Sequence, residues 1–346
     1  MAVAGIGRGF VLTGMLALAG ALASPAAAQS FKDKTVTILV GSSTGGGLDT
    51  FARLTQRHLG KHLAGNPSVV VTNMPGAGGA VVAQNLYRKS APDGLTMAIT
   101  FPSVIIDPLL NEELRREYDP TKFIYVGNAN AEVLVCMLRN EVQLGSLEDF
   151  RSREFVIGAT APGSTTADFP HMANGLLGTK FKLVTGYKGS RDVTLAMERN
   201  EVQGICGLGW STVKVQYPDI LTGTTFARVV AQEDLKGHPD LHAKGVPMMM
   251  SLARNDEENQ ALEMFYSQNA FSRTFILPPN VPADRVKAQR DAFMATMADA
   301  ELLSDAQRMN VDVGPSTGED VQALVARMYQ LPPSVVSRVR HAMGRT

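Results

Sequence analysis

The feature that most constrains the fold is a strand–glycine loop–helix unit that occurs twice near the N-terminal end of the chain. Thr35–Val40 is a β-branched, apolar run typical of a buried strand, and the glycine-rich loop at residues 41–49 leads from it into a helical pattern at Thr50–Leu63. The unit repeats from the strand pattern at Val69–Thr72 through a second glycine-rich loop into a helix at Val81–Arg88. Such alternation predicts parallel strands joined by helical crossovers, which is an α/β sheet.

A second series of strands and helices begins near residue 150. Between the two series, Phe123–Leu138 carries strand patterns on both sides of a polar break, which indicates a crossing from one domain to another. A chain of 346 residues also exceeds the length that one hydrophobic core usually serves. We interpret the strand pattern at Phe226–Val230 as the start of the return. We therefore expect two α/β lobes, with residues 29–130 in lobe 1, residues 131–228 in lobe 2, and residues 229–346 returning to lobe 1 and ending in helices.

The first 28 residues have the composition of an export signal. Met1–Gly9 contains Arg8 and no acid, Phe10–Ala23 is apolar, and Ala26–Ala28 supplies small residues before Gln29. The apolar run is shorter than the ~20 residues of a membrane span. We expect residues 1–28 to be a signal peptide that is removed on export, and the alternative is an uncleaved N-terminal anchor.

Net charge argues against two classes of partner. The whole chain has a formal charge of zero, and the loss of residues 1–28 removes Arg8 and no acid, which leaves minus one. A near-neutral protein has no electrostatic reason to bind nucleic acid or an anionic membrane surface. We expect neither partner.

Cysteine and histidine give little support for a metal site. The two cysteines, Cys136 and Cys206, are too few for a structural zinc site by themselves. In an oxidising compartment they could form a disulfide, and two small buried apolar residues are an equally good interpretation. The histidine pairs four residues apart lack a metal motif, since the first has no H-E-x-x-H glutamate and the second contains a proline. We expect solvated histidines and no metal, and these pairs are His58 with His62 and His238 with His242.

The glycine-rich loops are the candidate binding site. Glycine lets the backbone approach a ligand, and free amides at a helix N-terminus point towards negative charge. Both loops would meet at the carboxyl ends of adjacent strands, where open α/β sheets bind ligands. Neither loop carries the Gly-Lys-Ser/Thr of a nucleotide phosphate site. The candidate ligand-binding residues are Ser43, Thr44, Gly45, Gly46 and Asp49 in the first loop, Gly76, Ala77, Gly78 and Gly79 in the second loop, and Gly163, Ser164, Thr165 and Trp210 in the second half.

Two of these residues have competing interpretations. Trp210 follows the strand pattern Gln203–Leu208, and a lone tryptophan at that place is either core or the wall of a pocket. Ser43 lies in a G-x-S-x-G match between a strand and a helix, as the nucleophile of a serine hydrolase does. The strand before it is the first after the leader, so no earlier loop completes an oxyanion hole. No motif supports His238 or His242 as its base. We expect no catalytic residue and keep the hydrolase as the alternative.

Five motifs in order resemble the Bug family, the extracytoplasmic solute receptors of tripartite tricarboxylate transporters. The similarity runs from about Val36 to Val313, nearly the whole chain after the leader. The motifs are Gly45-Gly46-Gly47-Leu48-Asp49 with Ala52-Arg53, Asn73-Met74-Pro75-Gly76-Ala77-Gly78-Gly79, Ala91-Pro92-Asp93-Gly94, Gly186-Tyr187-Lys188-Gly189, and Leu195–Gly204.

The resemblance implies a type II periplasmic-binding-protein fold with the ligand cleft between two α/β lobes. It implies a periplasmic monomer without a cofactor, which holds a small organic carboxylate through backbone amides and water and passes it to membrane transporter subunits. Ser43–Gly46 and Gly76–Gly79 would anchor the carboxylate, and Gly163–Thr165 would meet it from lobe 2. The sequence departs from the family at Gly41-Ser42-Ser43, where Pro-Phe-Pro is common, and after Gly163-Ser164, where the usual histidine is absent and His171 lies farther on. These departures bear on which acid is bound.

Overall fold

The computed structural model describes Met1 and residues 31–344, except for residues 43, 46, 161–163, 188 and 310. The signal peptide expected at residues 1–28 therefore lies outside the described residues apart from Met1. Within the described ranges, none of the helices combines the length and the apolar character that a bilayer span requires.

The secondary structure alternates between strands and helices along most of the chain, as the sequence predicts. The strands are β1 Thr35–Val40, β2 Ser68–Asn73, β3 Thr96–Thr100, β4 Ile124–Asn128, β5 Leu134–Arg139, β6 Phe155–Gly158, β7 Phe181–Val184, β8 Gly204–Gly209, β9 Ala227–Glu233, β10 Thr274–Leu277 and β11 Ser316–Thr317. The α-helices are α1 Gly47–Leu59, α2 Ala80–Lys89, α3 Ser103–Leu110, α4 Glu112–Glu117, α5 Asp149–Ser152, α6 Thr165–Met172, α7 Ser190–Glu198, α8 Trp210–Gln216, α9 Pro239–Ala243, α10 Asp256–Tyr266, α11 Ala283–Met297, α12 Ala300–Arg308, α13 Gly318–Met328 and α14 Pro333–Ala342.

Two sheets define two lobes, which confirms the predicted α/β fold. The sheet of lobe 1 has the order β11-β4-β10-β3-β1-β2, and the sheet of lobe 2 has the order β7-β6-β8-β5-β9. Strands β2, β1 and β3 are parallel, and Val40 lies opposite both Asn73 and Ile99. In lobe 2, β6 is parallel to β7 and β8. The loops that follow these parallel strands therefore lie at the carboxyl edge of each sheet, where ligands bind in this class of fold.

Two chain segments connect the lobes and are hydrogen-bonded to each other. The first runs from β4 to β5, and both strands lie in the segment Phe123–Leu138 that the sequence marks as the crossing. The second reaches lobe 1 again at β10. The backbone amide of Glu132 donates to the carbonyl of Asn269 at 3.2 Å, and the amide of Ala129 donates to the carbonyl of Arg273 at 3.0 Å. The two crossings thus form one connecting region.

The return to lobe 1 occurs later in the chain than the sequence predicts. Phe226–Val230 was expected to begin the return, but β9 pairs antiparallel with β5 along its whole length in the sheet of lobe 2. The chain rejoins the sheet of lobe 1 only at β10, which pairs with β3 and β4. A short apolar strand has the same pattern in either sheet, so the sequence of β9 does not specify its partner.

The cysteines, whose pairing the sequence leaves open, form a disulfide. Cys136 of β5 and Cys206 of β8 are both fully buried, and their Cα atoms are 3.8 Å apart. β5 and β8 are antiparallel neighbours, and their register shifts between Val135 and Met137, beside the disulfide. The disulfide joins two strands in the interior of lobe 2.

Candidate functional site

The first glycine-rich loop connects β1 to α1, and Asp49 holds it in place. Gly45 has a positive φ of 83°, and its amide donates to Asp49 Oδ2 at 2.8 Å. Arg53 Nε donates to the same oxygen at 2.9 Å, and Asn73 Nδ2 donates to Asp49 Oδ1 at 2.8 Å. These contacts, led by the hydrogen bond from Arg53, lower the pKa of the Asp49 carboxyl to about 2 although its burial opposes the shift. Asp49 is therefore an ionised brace for the loop.

Asn73 links the first loop to the strand that leads into the second loop. Its Nδ2 donates to the carbonyl of Ser42 at 3.0 Å as well as to Asp49. Its Oδ1 accepts from Thr44 Oγ1 at 3.3 Å and from Arg53 at 3.2 Å. Arg53 and Asn73 belong to motifs in the sequence, but neither residue was predicted to have a role. Their positions relative to Asp49 could have indicated the contact. Arg53 lies four residues after Asp49 on the same helix, so the two side chains share one face of that helix. Asn73 ends β2, beside the end of β1, from which the first loop starts.

The second loop has an unusual backbone conformation. Gly76, Ala77, Gly78 and Gly79 have φ values of 143°, 45°, 60° and 91°, so four consecutive residues lie in the positive region. Glycine occupies this region without strain, whereas Ala77 does not. The turn leads directly into α2, and backbone amides in such turns form concave surfaces that accept anions. Ser103 Oγ donates to the carbonyl of Gly78 at 2.7 Å and so connects the turn to the start of α3.

A cavity of about 590 Å³ joins this turn to lobe 2. Ala77, Gly78 and Ser103 line it from lobe 1, and Ser164 and Thr165 line it from lobe 2. Among the described residues that line it, none is lysine, arginine or histidine. We call this space the interlobe cavity. Its polar lining consists of the backbone of the turn, the hydroxyl groups of Ser103, Ser164 and Thr165, the side-chain amide of Gln268 and the carboxyl groups of Asp107 and Asp168.

A second cavity of about 550 Å³ extends into lobe 2 and shares Ser164 and Thr165 with the interlobe cavity. We call it the lobe 2 cavity. Thr165 Oγ1 donates to the carbonyl of Gly207 at 2.7 Å, and Gly207 also lines this cavity. Gly207 has a φ of 68°, and a Cβ atom there would overlap the carbonyl oxygen of Thr165. Glycine is therefore required where β8 passes behind the start of α6.

The hydroxyl groups of the third loop are bonded to one another. Thr160 Oγ1 donates to Ser164 Oγ at 2.7 Å, and the amide of Thr160 donates to Thr166 Oγ1 at 3.0 Å. Ser164 Oγ lies 3.1 Å from Thr166 Oγ1. The loop is thus arranged by its own polar side chains beside the cavities, at the start of α6.

The structure brings together only some of the residues proposed from the sequence. Ala77, Gly78, Ser164 and Thr165 share the interlobe cavity. Other candidates do not line either cavity, and their part in binding stays a prediction: these are Thr44, Gly45, Asp49, Gly76, Gly79 and Trp210. The remaining three, Ser43, Gly46 and Gly163, lie outside the described residues.

Trp210 lies in the interior of lobe 2. Its side chain is 1% exposed, and it packs in an apolar cluster with Val135, Met137 and Val213. Its ring centroid is 6.0 Å from that of His238. Of the two interpretations of Trp210, the structure favours the core residue.

The first histidine pair is part of an ion-pair cluster, so the expectation of solvated histidines is wrong for His58. His58 is 7% exposed, and its Nε2 lies 3.0 Å from Asp305 Oδ2. His58, Asp299 and Glu301 have ligand atoms within 4.8 Å of one another. However, the Lys61 ammonium lies 2.7 Å from Asp299 and 2.6 Å from Glu301. A lysine therefore already supplies the cation for these two carboxylates. The packing of α12 against α1 buries His58. The sequence of α1 alone does not indicate that α12 covers this face of the helix.

Comparison with known families and proteins gives a consistent result. The family model described as "Tripartite tricarboxylate transporter family receptor" matches residues 51–204. A UPF0065 protein of Bordetella bronchiseptica is 34% identical over 122 residues, which are 35% of this chain and 34% of that protein. A UPF0065 protein of Agrobacterium vitis is 29% identical over 170 residues, which are 47% of each chain. The matches span less than half the length of these relatives.

Solved structures share the fold over most of the chain. A ligand-free TctC solute-binding protein from Polaromonas has a TM-score of 0.68 with 18% identity, over 90% of this chain and 100% of that one. A Rhodopseudomonas palustris protein with adipate has a TM-score of 0.59 with 20% identity, over 90% and 97%. MatC from the same organism with bound malate has a TM-score of 0.55 with 19% identity, over 89% and 98%. The matched family model describes a transporter receptor and not a hydrolase, so it gives no support to the alternative of a serine hydrolase at Ser43.

Proposed function

This chain is related in sequence and in fold to the Bug family of solute receptors, and on that premise we propose that it captures a small organic carboxylate and delivers it to a tripartite tricarboxylate-type membrane transporter. The observation that carries the proposal is the interlobe cavity. It joins the positive-φ turn of lobe 1 to the hydroxyl-bearing loop of lobe 2, so a solute bound there contacts both lobes.

The chemistry of the cavity supports an anion held by backbone. Ala77 and Gly78 line the cavity and belong to the turn directly before α2. Free backbone amides and the helix dipole favour negative charge at the N-terminus of a helix. Ser103, Ser164 and Thr165 add hydroxyl groups. No described cationic side chain lines the cavity, and Asp107 and Asp168 do line it, so the carboxylate of the solute would be bound away from these two acids, by amides of the turn, hydroxyls and bridging water. Such a site recognises the carboxylate group and leaves the rest of the solute to the neighbouring apolar side chains.

We place the working protein in the periplasm, after removal of residues 1–28. A disulfide between Cys136 and Cys206 suits an oxidising compartment. We propose a monomer that needs no cofactor and binds no nucleic acid, with solute and transporter subunits as its partners.

A ligand screen tests this function. Protein lacking residues 1–28 is unfolded and refolded to strip any carried solute, and its thermal midpoint is then measured with mono-, di- and tricarboxylates, including adipate and malate. A true ligand at 100 times its Kd adds about 2.7 kcal/mol to the free energy of unfolding. An assembly or structural protein gains nothing from any of the acids, and that result would overturn the proposal.

A further inference from the structure

Glu233 is a buried acid that the proposed binding chemistry leaves unused. It ends β9, its side chain is fully buried, and its Oε2 accepts a 2.6 Å hydrogen bond from the amide of Gly207. Its Oε1 has no hydrogen-bond partner in the described part of the chain. The other buried glutamate, Glu258, differs because Arg254 and Arg338 lie 2.6 Å and 3.2 Å from its carboxylate. Among the described residues, Glu233 forms no such ion pair.

The surroundings of Glu233 favour its neutral form. The titratable groups near it are Asp234, next along the chain, and Tyr266 of α10, whose pKa is raised by burial and by the charges of Glu233 and Asp234. Facing strands contribute Leu134 of β5 and Gly207 of β8, which carry no charge. Burial raises the pKa of the Glu233 carboxyl to about 8, although the hydrogen bond from Gly207 opposes the shift.

A short chain of hydrogen bonds connects this acid to the candidate site. The amide of Gly207 donates to Glu233, and the carbonyl of Gly207 accepts from Thr165 Oγ1 at 2.7 Å. Gly207 lines the lobe 2 cavity, and Thr165 lines both cavities. Glu233 is thus one residue behind the wall of lobe 2. Its position is fixed further by Asn269 of the connecting region, whose Nδ2 donates to the Glu233 carbonyl at 2.8 Å.

We propose that Glu233 is a positioning residue that must be uncharged for lobe 2 to hold an anionic solute, so that its ionisation sets the upper pH limit of solute binding. This inference rests on the proposed function. The neutral acid holds Gly207 and, through it, Thr165, while adding no negative charge behind the wall. When Glu233 loses its proton to solvent, a negative charge appears in a low-dielectric interior close to the bound carboxylate. The two negative charges then repel each other. Above the pKa of Glu233, binding of the anion therefore takes up one proton.

The first test compares pH profiles of binding by calorimetry with adipate and malate as probes, both fully ionised from pH 7 to pH 9. Wild-type Kd is expected to rise roughly tenfold over this range if only the protonated form binds. Glu233→Gln, which mimics the neutral acid, is expected to keep its affinity and to change less than twofold. Glu258→Gln is the matched control, since it alters a buried glutamate away from the cavities and keeps the wild-type profile. A wild-type Kd that is flat, or that rises equally in Glu233→Gln, overturns the proposal.

A second test needs no ligand and separates this inference from the proposed function. Because the folded pKa of Glu233 lies above that of an unfolded glutamate, the stability that Glu233 contributes is fully present below pH ~4.5, falls as the pH rises to about 8, and then stays level. The difference in thermal midpoint between the wild type and Glu233→Gln should follow that course. If the difference is constant with pH, Glu233 is not a neutral acid in the folded protein, and this conclusion holds for any ligand. If it follows the course but no carboxylate binds, the proposed function fails instead, and the binding part of this inference fails with it.

Discussion

Asp49 receives hydrogen bonds from the Gly45 amide, the Arg53 guanidinium and the Asn73 amide, so its carboxylate has little capacity left for a solute. The sequence predicted Asp49 to be a ligand-binding residue of the first loop, and the structure places it in the first turn of α1 with its carboxylate turned to its own loop. Its hydrogen-bond partners explain this orientation, and one of them, Asn73, lies 24 residues away at the end of β2. Local pattern predicts the position of such a residue, but its role depends on tertiary contacts.

Asp49→Asn should destabilise the protein, because it removes the charge that Arg53 and the Gly45 amide bind. We expect a loss of about 1.5–3 kcal/mol in the free energy of unfolding at pH 7, measured by urea denaturation. The lowered pKa means that this stabilisation is present above pH ~4 and is lost as the pH falls towards 2, so the two proteins should converge in acid. Asp291→Asn is the control, since Asp291 pairs with Lys287 on an exposed surface and should cost under about 0.5 kcal/mol. Equal losses in both variants would contradict the bracing role.

Gly78→Val tests whether the turn of lobe 1 binds the solute. The new side chain would stand within 3.3 Å of Ser103 Oγ on the wall of the interlobe cavity, in a backbone conformation with φ of 60°. We expect calorimetry to detect no binding by a protein that still folds. Ser103→Ala removes one hydrogen bond and should weaken binding by about 0.5–1.5 kcal/mol, a loss of affinity on the order of tenfold or less.

Gly223→Val is the matched control for backbone strain. Gly223 also has a positive φ, 77°, with open space where a Cβ atom would be, and it lies away from the cavities. Its affinity should equal that of the wild type. Full affinity in Gly78→Val would show that the solute binds elsewhere.

At the scale of secondary-structure elements, β5 is the strand around which lobe 2 is organised. It pairs with β8 on one side and β9 on the other, and both partners are antiparallel to it. The second series of alternating strand and helix patterns, which begins near residue 150, predicted the parallel strands β6, β7 and β8. It did not predict that β9 joins this sheet, because antiparallel pairing at an edge needs no helical crossover and leaves no periodic signal.

Removal of the disulfide between β5 and β8 should destabilise the protein. Cys136 and Cys206 are 70 residues apart in sequence, so the bond restricts a long loop in the unfolded chain. Loop-entropy arguments give a loss of about 3–5 kcal/mol for the double change Cys136→Ala with Cys206→Ala. Denaturant unfolding with and without reductant measures it. Reductant should lower the stability of the wild type and leave the double variant unchanged, and an effect of reductant on both would point to another cause.

The whole molecule consists of two lobes, each with one sheet, that are connected by two adjacent crossings of the chain. The interlobe cavity is lined by residues of both lobes. Composition, length and motif order predicted the two-lobed α/β fold. Which residues line the cavity depends on how the lobes meet, and that relation comes from contacts such as Glu132 with Asn269, far apart in sequence. No local pattern encodes them, so the sequence predicts the loops of the site better than its walls.

Export should remove residues 1–28. Mass spectrometry of the periplasmic protein is expected to find an N-terminus at or near Gln29. Replacement of Ala26 and Ala28 by arginine should block cleavage, because the peptidase requires small residues at those places. A periplasmic wild-type protein that retains Phe10–Ala23 would instead indicate an anchored form.

The run of positive φ values from Gly76 to Gly79 has a practical consequence for mapping the site by mutagenesis. Alanine scanning, the usual survey, removes side chains and records what is lost, yet Gly76, Gly78 and Gly79 have no side chain and Ala77 is already alanine. Such a survey would therefore find no effect of this loop on binding, or would attribute the effect of backbone strain at a substituted glycine to a lost contact. Chemistry that alters the main chain itself, such as replacement of the amide between Ala77 and Gly78 by an ester, would measure a contribution of the amide that removal of a side chain cannot reveal.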